Sequence, residues 1–380
     1  MLKRLGDTCA FVGGGTPSKK NPDFYKGSIP WATVRDMNVR VIETTEHSIT
    51  PEAVRQSATN IIPNGEIVIS THVGLGKVCF LGQDTAINQD LKAVIPNGEL
   101  SRRYLYYWFM SKTDELIANG KGATVKGVTL DFVKNLKIQV LTEREQEVIS
   151  DTLDKVHNVI ELADAQVSRL NQLVKSRFVE MFGTLSDPKF ALKPLDRLCE
   201  FIKDGTHQTP TYTEDKIHGY KFLSSKDVVS GVVDWTRIKY IPKELHEELH
   251  RRVSPRRNDI LLAKNGTTGI AALVETDEVF DIYVSLALLR FRPGIDMKFV
   301  LWAINSPDTK MQFTRSLKGV GVPNLHLGEI KKAVIPLPPL ALQREFAAFV
   351  EKVDKLAFAA RRRRDVARQL YRAKIQEFFG

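Results

Sequence analysis

The chain has 380 residues, 43% of them hydrophobic, enough for two or three domains with real cores. Its net charge of +10 is compatible with a polyanionic partner without demonstrating one. No apolar run approaches membrane-spanning length, and MLKRLGDTCAFVGGG lacks the apolar core of a signal peptide. Cys9, Cys79 and Cys199, odd in number and without a close pair, fit a cytoplasmic location rather than disulfides or a zinc site.

Residues 1–142 read as a mixed α/β (α+β) domain. GSIPWATVRDM gives a strand running into a polar turn. GEIVISTHVGLGKVCFLG alternates β-formers and bends at glycines, the pattern of a β-hairpin. SRRYLYYWFMSKTDELIANG predicts a helix, with Leu105, Trp108, Phe109, Lys112 and Leu116 at steps of three or four. KGATVKGVT follows as a loop rich in Gly, Lys and Thr.

Residues 143–185 predict a long helix. Thr142 and Glu145 have the spacing of a capping box, and Gly183 is a natural stop. Ile149, Leu153, Val156, Ile160, Ala163, Val167, Leu170 and Val174 follow one another in alternating steps of four and three, the seam of a coiled coil.

Residues 186–338 repeat the plan of the first domain with drifting offsets. GGTP at 14–17 corresponds to HQTP at 207–210, WATVRDM to FLSSKDV at 222–228, and GEIVISTHVGLG to NDILLAKNGTTG at 258–269. YLYYWF resembles FVLWAI at 299–304, and KGATVKGVTL matches KGVGVPNLHL at 318–327. Residues 339–380 predict a second long helix, opened by Pro338 and Pro339 and closed by Gly380. Its seam runs through Phe346, Val350, Val353, Ala357, Ala360, Ala367 and Tyr371. Arg364 interrupts it, inside the run Arg361–Arg364.

The stretch Leu130–Gly183 lies without a gap on Leu327–Gly380. Twelve positions are identical, among them Gln146/Gln343, Val156/Val353, Ala163/Ala360 and Gly183/Gly380. Each copy reads as an apolar strand-like run (LKIQVL, AVIPLPPL) followed by its long helix. A period of this length is a duplicated domain, not a solenoid repeat. Two helices that share a register favour packing on each other; the alternative is two amphipathic helices, each on its own domain. The coils agree while the globular parts have diverged, so the halves share a framework and differ in what they bind.

Catalytic patterns fail on spacing. FVGGG at 11–15 and NPDF at 21–24 mimic methyltransferase motifs, but no strand–helix unit fits between them. Pro307-Asp308 with Glu329 and Lys331 mimics a metal-dependent nuclease, yet the other copy has Phe132 where this one has Glu329. There is no G-x-x-x-x-G-K-[ST] loop. His72, His207 and His326 are scattered without metal-ligand spacing, so no metal is expected.

Two diverged domains alternating with two similar heptad helices resemble the specificity subunit of a type I restriction–modification system. The resemblance covers the whole chain and is most specific at the strand-to-helix transitions around Gln146 and Gln343. It implies two target-recognition domains in a tandem pseudo-two-fold repeat, joined by an antiparallel coiled coil. It implies double-stranded DNA as a partner. Two modification subunits would dock on the coil, and restriction subunits would complete the complex. Catalysis, S-adenosylmethionine and ATP would belong to those partners, with no cofactor bound by this chain. A helix of about 40 residues is roughly 60 Å long, enough to hold two readers about one DNA turn apart or more.

Candidate DNA-facing residues are Thr16, Arg35, Thr71, His72, Lys77, Lys121 and Lys126 in the first domain. In the second they are Thr209, Lys226, Lys264, Asn265, Thr267 and Lys318. For each, an ordinary solvated loop side chain is the other reading. Candidate coil and subunit-interface residues are Gln146, Ile149, Leu153, Val156, Ile160, Val167, Leu170, Gln343, Phe346, Val350, Val353 and Tyr371. The competing function is a coiled-coil adaptor with two protein-binding domains.

Overall fold

The computed structural model describes residues 1–121, 127–229, 231–266, 268–317 and 324–380. It divides into two compact units, one of residues 1–164 with 361–380 and one of residues 165–360. This differs from the four segments read in the sequence, because each long helix is shared. Ile149 and Leu153 belong to the first unit's core, and Val174, Phe178 and Phe182 to the second's.

In the first unit a five-stranded sheet has the order Cys9–Gly13, Leu91–Pro96, Ile67–Ser70, Val78–Leu81, Val41–Ile42. A four-stranded sheet has the order His47–Ile49, Ile29–Ala32, Thr85–Ile87, Asn60–Ile62. The expected hairpin is the antiparallel pair Ile67–Ser70 and Val78–Leu81. The second unit keeps the frame with one strand fewer in each of these two sheets. Cys199–Asp204, Leu286–Phe291, Ile260–Ala263 and Ala271–Leu273 form one sheet; Lys239–Ile241, Tyr220–Leu223 and Phe280–Ile282 form another. The register equates the two: Trp31 faces Ala86 as Phe222 faces Asp281.

Two local readings are corrected, and one helix is added to them. The expected single helix over 101–120 breaks into Arg102–Ser111 and Thr113–Ala118. Lys112 N–H bonds back to Phe109 O in a tight last turn, and Thr113 Oγ1 donates to Gly76 O at 3.3 Å. Each repeated block starts with a helical turn, Leu130–Asn135 and Leu327–Lys332, ahead of its short strand. The helix Lys243–Arg252 has no forecast in the sequence reading.

The long helices span Glu143–Phe182 and Leu340–Phe379, 40 residues each. Thr142 and Glu145 form the capping box: Thr142 N–H donates to Glu145 Oε2 at 2.8 Å and Glu145 N–H to Thr142 Oγ1 at 3.3 Å. Gly183 ends the first helix at φ +78°, where a side chain would be strained. Pairing is antiparallel. In the first unit the His157 ring lies 6.0 Å from Tyr371, while Asp164, further along, bonds Arg364 at 3.1 Å. In the second unit Phe178 meets Phe346 edge-on at 5.4 Å and Arg177 bonds Glu345 at 3.0 Å. Ile149, Leu153, Phe346, Val350 and Val353 are buried, and Val156, Ile160, Val167, Leu170 and Tyr371 partly so. Arg364 sits in the seam without breaking it, because Asp164 meets its charge together with that of Arg368.

The repeated glutamine has a defined task. Gln146 Oε1 accepts from Ser101 N–H at 2.7 Å, and its Nε2 donates to Glu99 O and Leu141 O at 2.9 Å. Gln343 Oε1 accepts from Asp296 N–H at 2.9 Å and its Nε2 donates to Pro338 O at 2.8 Å. Ser101 and Asp296 are the N-caps of Arg102–Ser111 and Met297–Asn305. Each glutamine thus seats the start of a domain helix on the coil. All three cysteines are buried; burial pushes Cys9 up to about 11 and Cys79 to about 12, as expected of small core residues.

Candidate nucleic-acid interface

In both units the hairpin tip is pinned to the loop that precedes the repeated block. In the first, Thr71 N–H donates to Asp90 O at 3.0 Å and Thr71 O accepts from Val128 N–H at 2.9 Å. In the second, Lys264 N–H donates to Ser285 O at 2.8 Å and Lys264 O accepts from Leu325 N–H at 2.9 Å. Thr71 and Lys264 therefore occupy one backbone position, and His72 and Asn265 the next. In the second unit the bridge Asn265–Asn324 extends this contact, whereas in the first Gly127, the equivalent of Asn324, is bridged to Lys121 instead.

A third segment joins them. Thr33 N–H and Oγ1 both donate to Asp36 Oδ2; Ser224 N–H and Oγ donate to Asp227 Oδ2 in the same way. These turns hold Arg35 and Lys226 outward, and both side chains are exposed. In the first unit the hairpin bend reaches this turn through Lys77, whose Nζ donates to Val34 O at 3.4 Å and to Asn38 Oδ1 at 2.7 Å.

The candidate residues do not share one role. Thr16, Arg35, His72, Lys121, Thr209 and Lys226 are exposed, and Asn265 is half-buried. Thr16 Oγ1 donates to Gln89 Oε1, and Arg35 pairs loosely with Glu46 at 3.4 Å. Lys126, Thr267 and Lys318 lie outside the described residues.

Two candidates are corrected. Thr71 is 2% exposed, and its hydroxyl donates to Asp90 O at 3.3 Å. Lys264 is 5% exposed, and its ammonium donates to Asp204 Oδ2 at 2.8 Å. Both fix the loop backbone from beneath instead of facing solvent. Burial alone would raise the Asp204 carboxyl. The hydrogen bond and charge of Lys264, helped by His207, overrule that and hold it below the ordinary carboxylate range. The alignment of Thr16 with Thr209 also shifts. Gly15 N–H bonds Ile87 O as Thr206 N–H bonds Ile282 O, which sets Thr16 against His207 and Thr209 two residues further along the loop.

Sequence reasoning missed Asp204, Ser285, Gln89 and Asn324, which position the loops, because no motif marks a pinning residue. It also passed over the one group of metal-ligating side chains brought together among the described residues, His246, His250 and Asp281. The His-x-x-x-His spacing is the signal for it.

Two domains present different side chains on one backbone scheme, each seated on a duplicated helical frame. That defines a two-headed recognition module. Residues 1–172 and 214–366 match the family model described as type I restriction modification DNA specificity domain. The chain belongs to that family. It is 35% identical over 160 residues to the EcoR124I/EcoR124II specificity subunit of Escherichia coli, covering 40% of each protein. Against the MjaIX specificity subunit of Methanocaldococcus jannaschii it is 23% identical over 376 residues, covering 92% of this chain and 85% of that one. A type I restriction–modification S subunit from M. genitalium has the same fold. Its TM-score is 0.57 at 13% identity, over 100% of this chain and 96% of that one. So does a chain solved for complex assembly and conformational transition of the type I R-M system. There the TM-score is 0.56 at 17% identity, over 100% of this chain and 97% of that one.

Proposed function

We propose that this chain is the sequence-reading subunit of a type I restriction–modification complex, each domain reading one half of a bipartite DNA site. The observation that carries the reading is the equivalence of the two pinned loop pairs. The backbone bonds at Thr71 and Lys264 are the same, while His72 and Gly127 on one side become Asn265 and Asn324 on the other, with Asn324 bridged to Asn265 and Gly127 to Lys121. Direct readout needs different donors and acceptors on a common scaffold. Arg35, Lys121 and Lys226, exposed beside these loops, are assigned to phosphates, a contribution that is insensitive to sequence and falls with salt. Methyl transfer and cleavage, with S-adenosylmethionine and ATP, belong to partner subunits in the cytoplasm. Among the described residues no helix is long and apolar enough to cross a membrane.

The test is methylation mapping of the reconstituted complex. His72→Ala is expected to relax only the half-site of residues 1–142, and Asn265→Ala only that of 186–338. Each would cost about 1–3 kcal/mol of discrimination if a base contact is lost. If either variant altered both half-sites equally, independent reading would be abandoned.

The coil supports docking of two modification subunits. In the first unit Val159 (38% exposed) and Leu370 (46%) share an apolar groove with Val156, Val366 and Ala367, edged by Lys155, Arg362 and Arg363. Aligning the repeats equates Val159 with Leu356 and Leu173 with Leu370. The second unit accordingly exposes Leu356 and Leu173. Matching apolar positions left uncovered in both units fit two copies of one partner. Leu370→Asp and Leu173→Asp should each leave the fold intact and remove one modification subunit, read by native mass spectrometry. Unchanged stoichiometry in both variants would refute docking at these positions.

A further inference from the structure

The helix Lys243–Arg252 carries His246-Glu247-Glu248-Leu249-His250, two histidines one helical turn apart on one face. That face lies on the strand Phe280–Ile282, where Asp281 is 1% exposed. His246 Nδ1 is 2.7 Å from Asp281 Oδ2, and His250 Nδ1 is 3.3 Å from Asp281 Oδ1. The three ligand atoms lie within 4.8 Å of one another. Ligands about 2.0–2.2 Å from a tetrahedral ion are themselves roughly 3.3 Å apart, so small shifts admit one. Tyr220 stacks flat on His246, ring centres 3.7 Å apart and planes 7° off parallel, and fixes that imidazole. His250 is only half-buried, which gives an ion access from solvent.

The duplicated frame shows that the fold does not require this cluster. The position of Asp281 is held in the first unit by Ala86, fully buried, and the short helix there, Pro51–Arg55, has no histidine. A carboxylate placed where the frame accepts alanine, with two imidazoles aimed at it, is an addition confined to one domain. We propose that His246, His250 and Asp281 form a divalent transition-metal site, zinc by ligand type, with a fourth position open to water. His-Glu-x-x-His spacing also occurs in zinc hydrolases, where the glutamate is the base. Here Glu247 is exposed and faces Lys243 at 3.8 Å, away from the cluster. With that glutamate turned away from the open position, the ion is assigned a clamping role. It clamps the helix to its sheet, and the same helix holds the backbone of Asp204 and Gly205 through Arg252. That backbone leads to the ion pair under the second reading loop.

The experiment uses tag-free, chelator-stripped full-length chain. Titration with Zn2+ by calorimetry should give one ion per chain, and Co2+ should give the visible absorption of tetrahedral coordination. His250→Asn should weaken binding by at least about 10-fold. Asp281→Ala, which copies the residue the other domain accepts, should abolish binding while keeping the fold by circular dichroism. Excess Zn2+ should raise the melting temperature of the parent but not of Asp281→Ala. Absence of stoichiometric binding, or equal binding by the parent and both variants, overturns the proposal.

Discussion

Leu153→Asp and Val353→Asp, singly, are each expected to cost on the order of 4 kcal/mol of unfolding free energy. The double variant should not assemble with modification subunits at all. Leu153 is fully buried and Val353 is 5% exposed. Neither is a coil residue alone. Leu153 packs in the core that holds Leu105, Val133 and Ile138, and Val353 in the core that holds Phe299, Ile330 and Ile335. A carboxylate at either place is set among apolar side chains and loses its water, at a cost that is a large fraction of a domain's total stability. Val148→Asp is the control, because Val148 on the same helix is 53% exposed. Urea midpoints and hydrogen exchange across the helices measure the effect. Midpoints matching the parent and the Val148 variant would remove the paired coil from the account.

The coil was legible because its signal is periodic and repeated. Ile149, Leu153, Phe346 and Val350 fall on the seam by spacing alone, and Gln146 and Gln343 stand out because duplication preserved them. The hairpin was legible from β-formers and glycines, and the turns at Arg35 and Lys226 from the aligned Thr33/Ser224 and Asp36/Asp227. What the sequence hid is the direction of loop side chains. Lys264 and Lys121 look alike in a chain of letters; one is buried on Asp204 and the other is exposed. The difference comes from Asp204, 60 residues away in sequence. The cluster of His246, His250 and Asp281 was half legible: the histidines share a helix, but Asp281 arrives through strand pairing that no local pattern reveals.

Lys264→Ala is expected to destabilise the second unit by about 3 kcal/mol, because it strands Asp204 in a site with little water. Lys264 and Asp204 side chains are 7% and 13% exposed, so screening does little to weaken their pairing. Its pH dependence has a fixed sign. The Asp204 carboxyl is depressed in the folded state, against a reference near ~3.9 for an unperturbed aspartate. Its contribution is full above that reference and is lost as pH falls through the lower folded value. Asp204→Asn should therefore flatten the acid limb of the stability profile, and Lys264→Met with Asp204→Leu should recover much of the neutral-pH loss. Lys264 also holds Ser285 and Leu325 through its backbone, which alanine keeps, so the loop should shift and not detach. Methylation mapping should then show the second half-site weakened or relaxed and the first unchanged. Asn265→Ala should relax the same half-site with little change in stability. Urea and acid unfolding of Lys264→Ala that matched the parent would show that the pair carries no weight, and Lys264 would return to the list of readers.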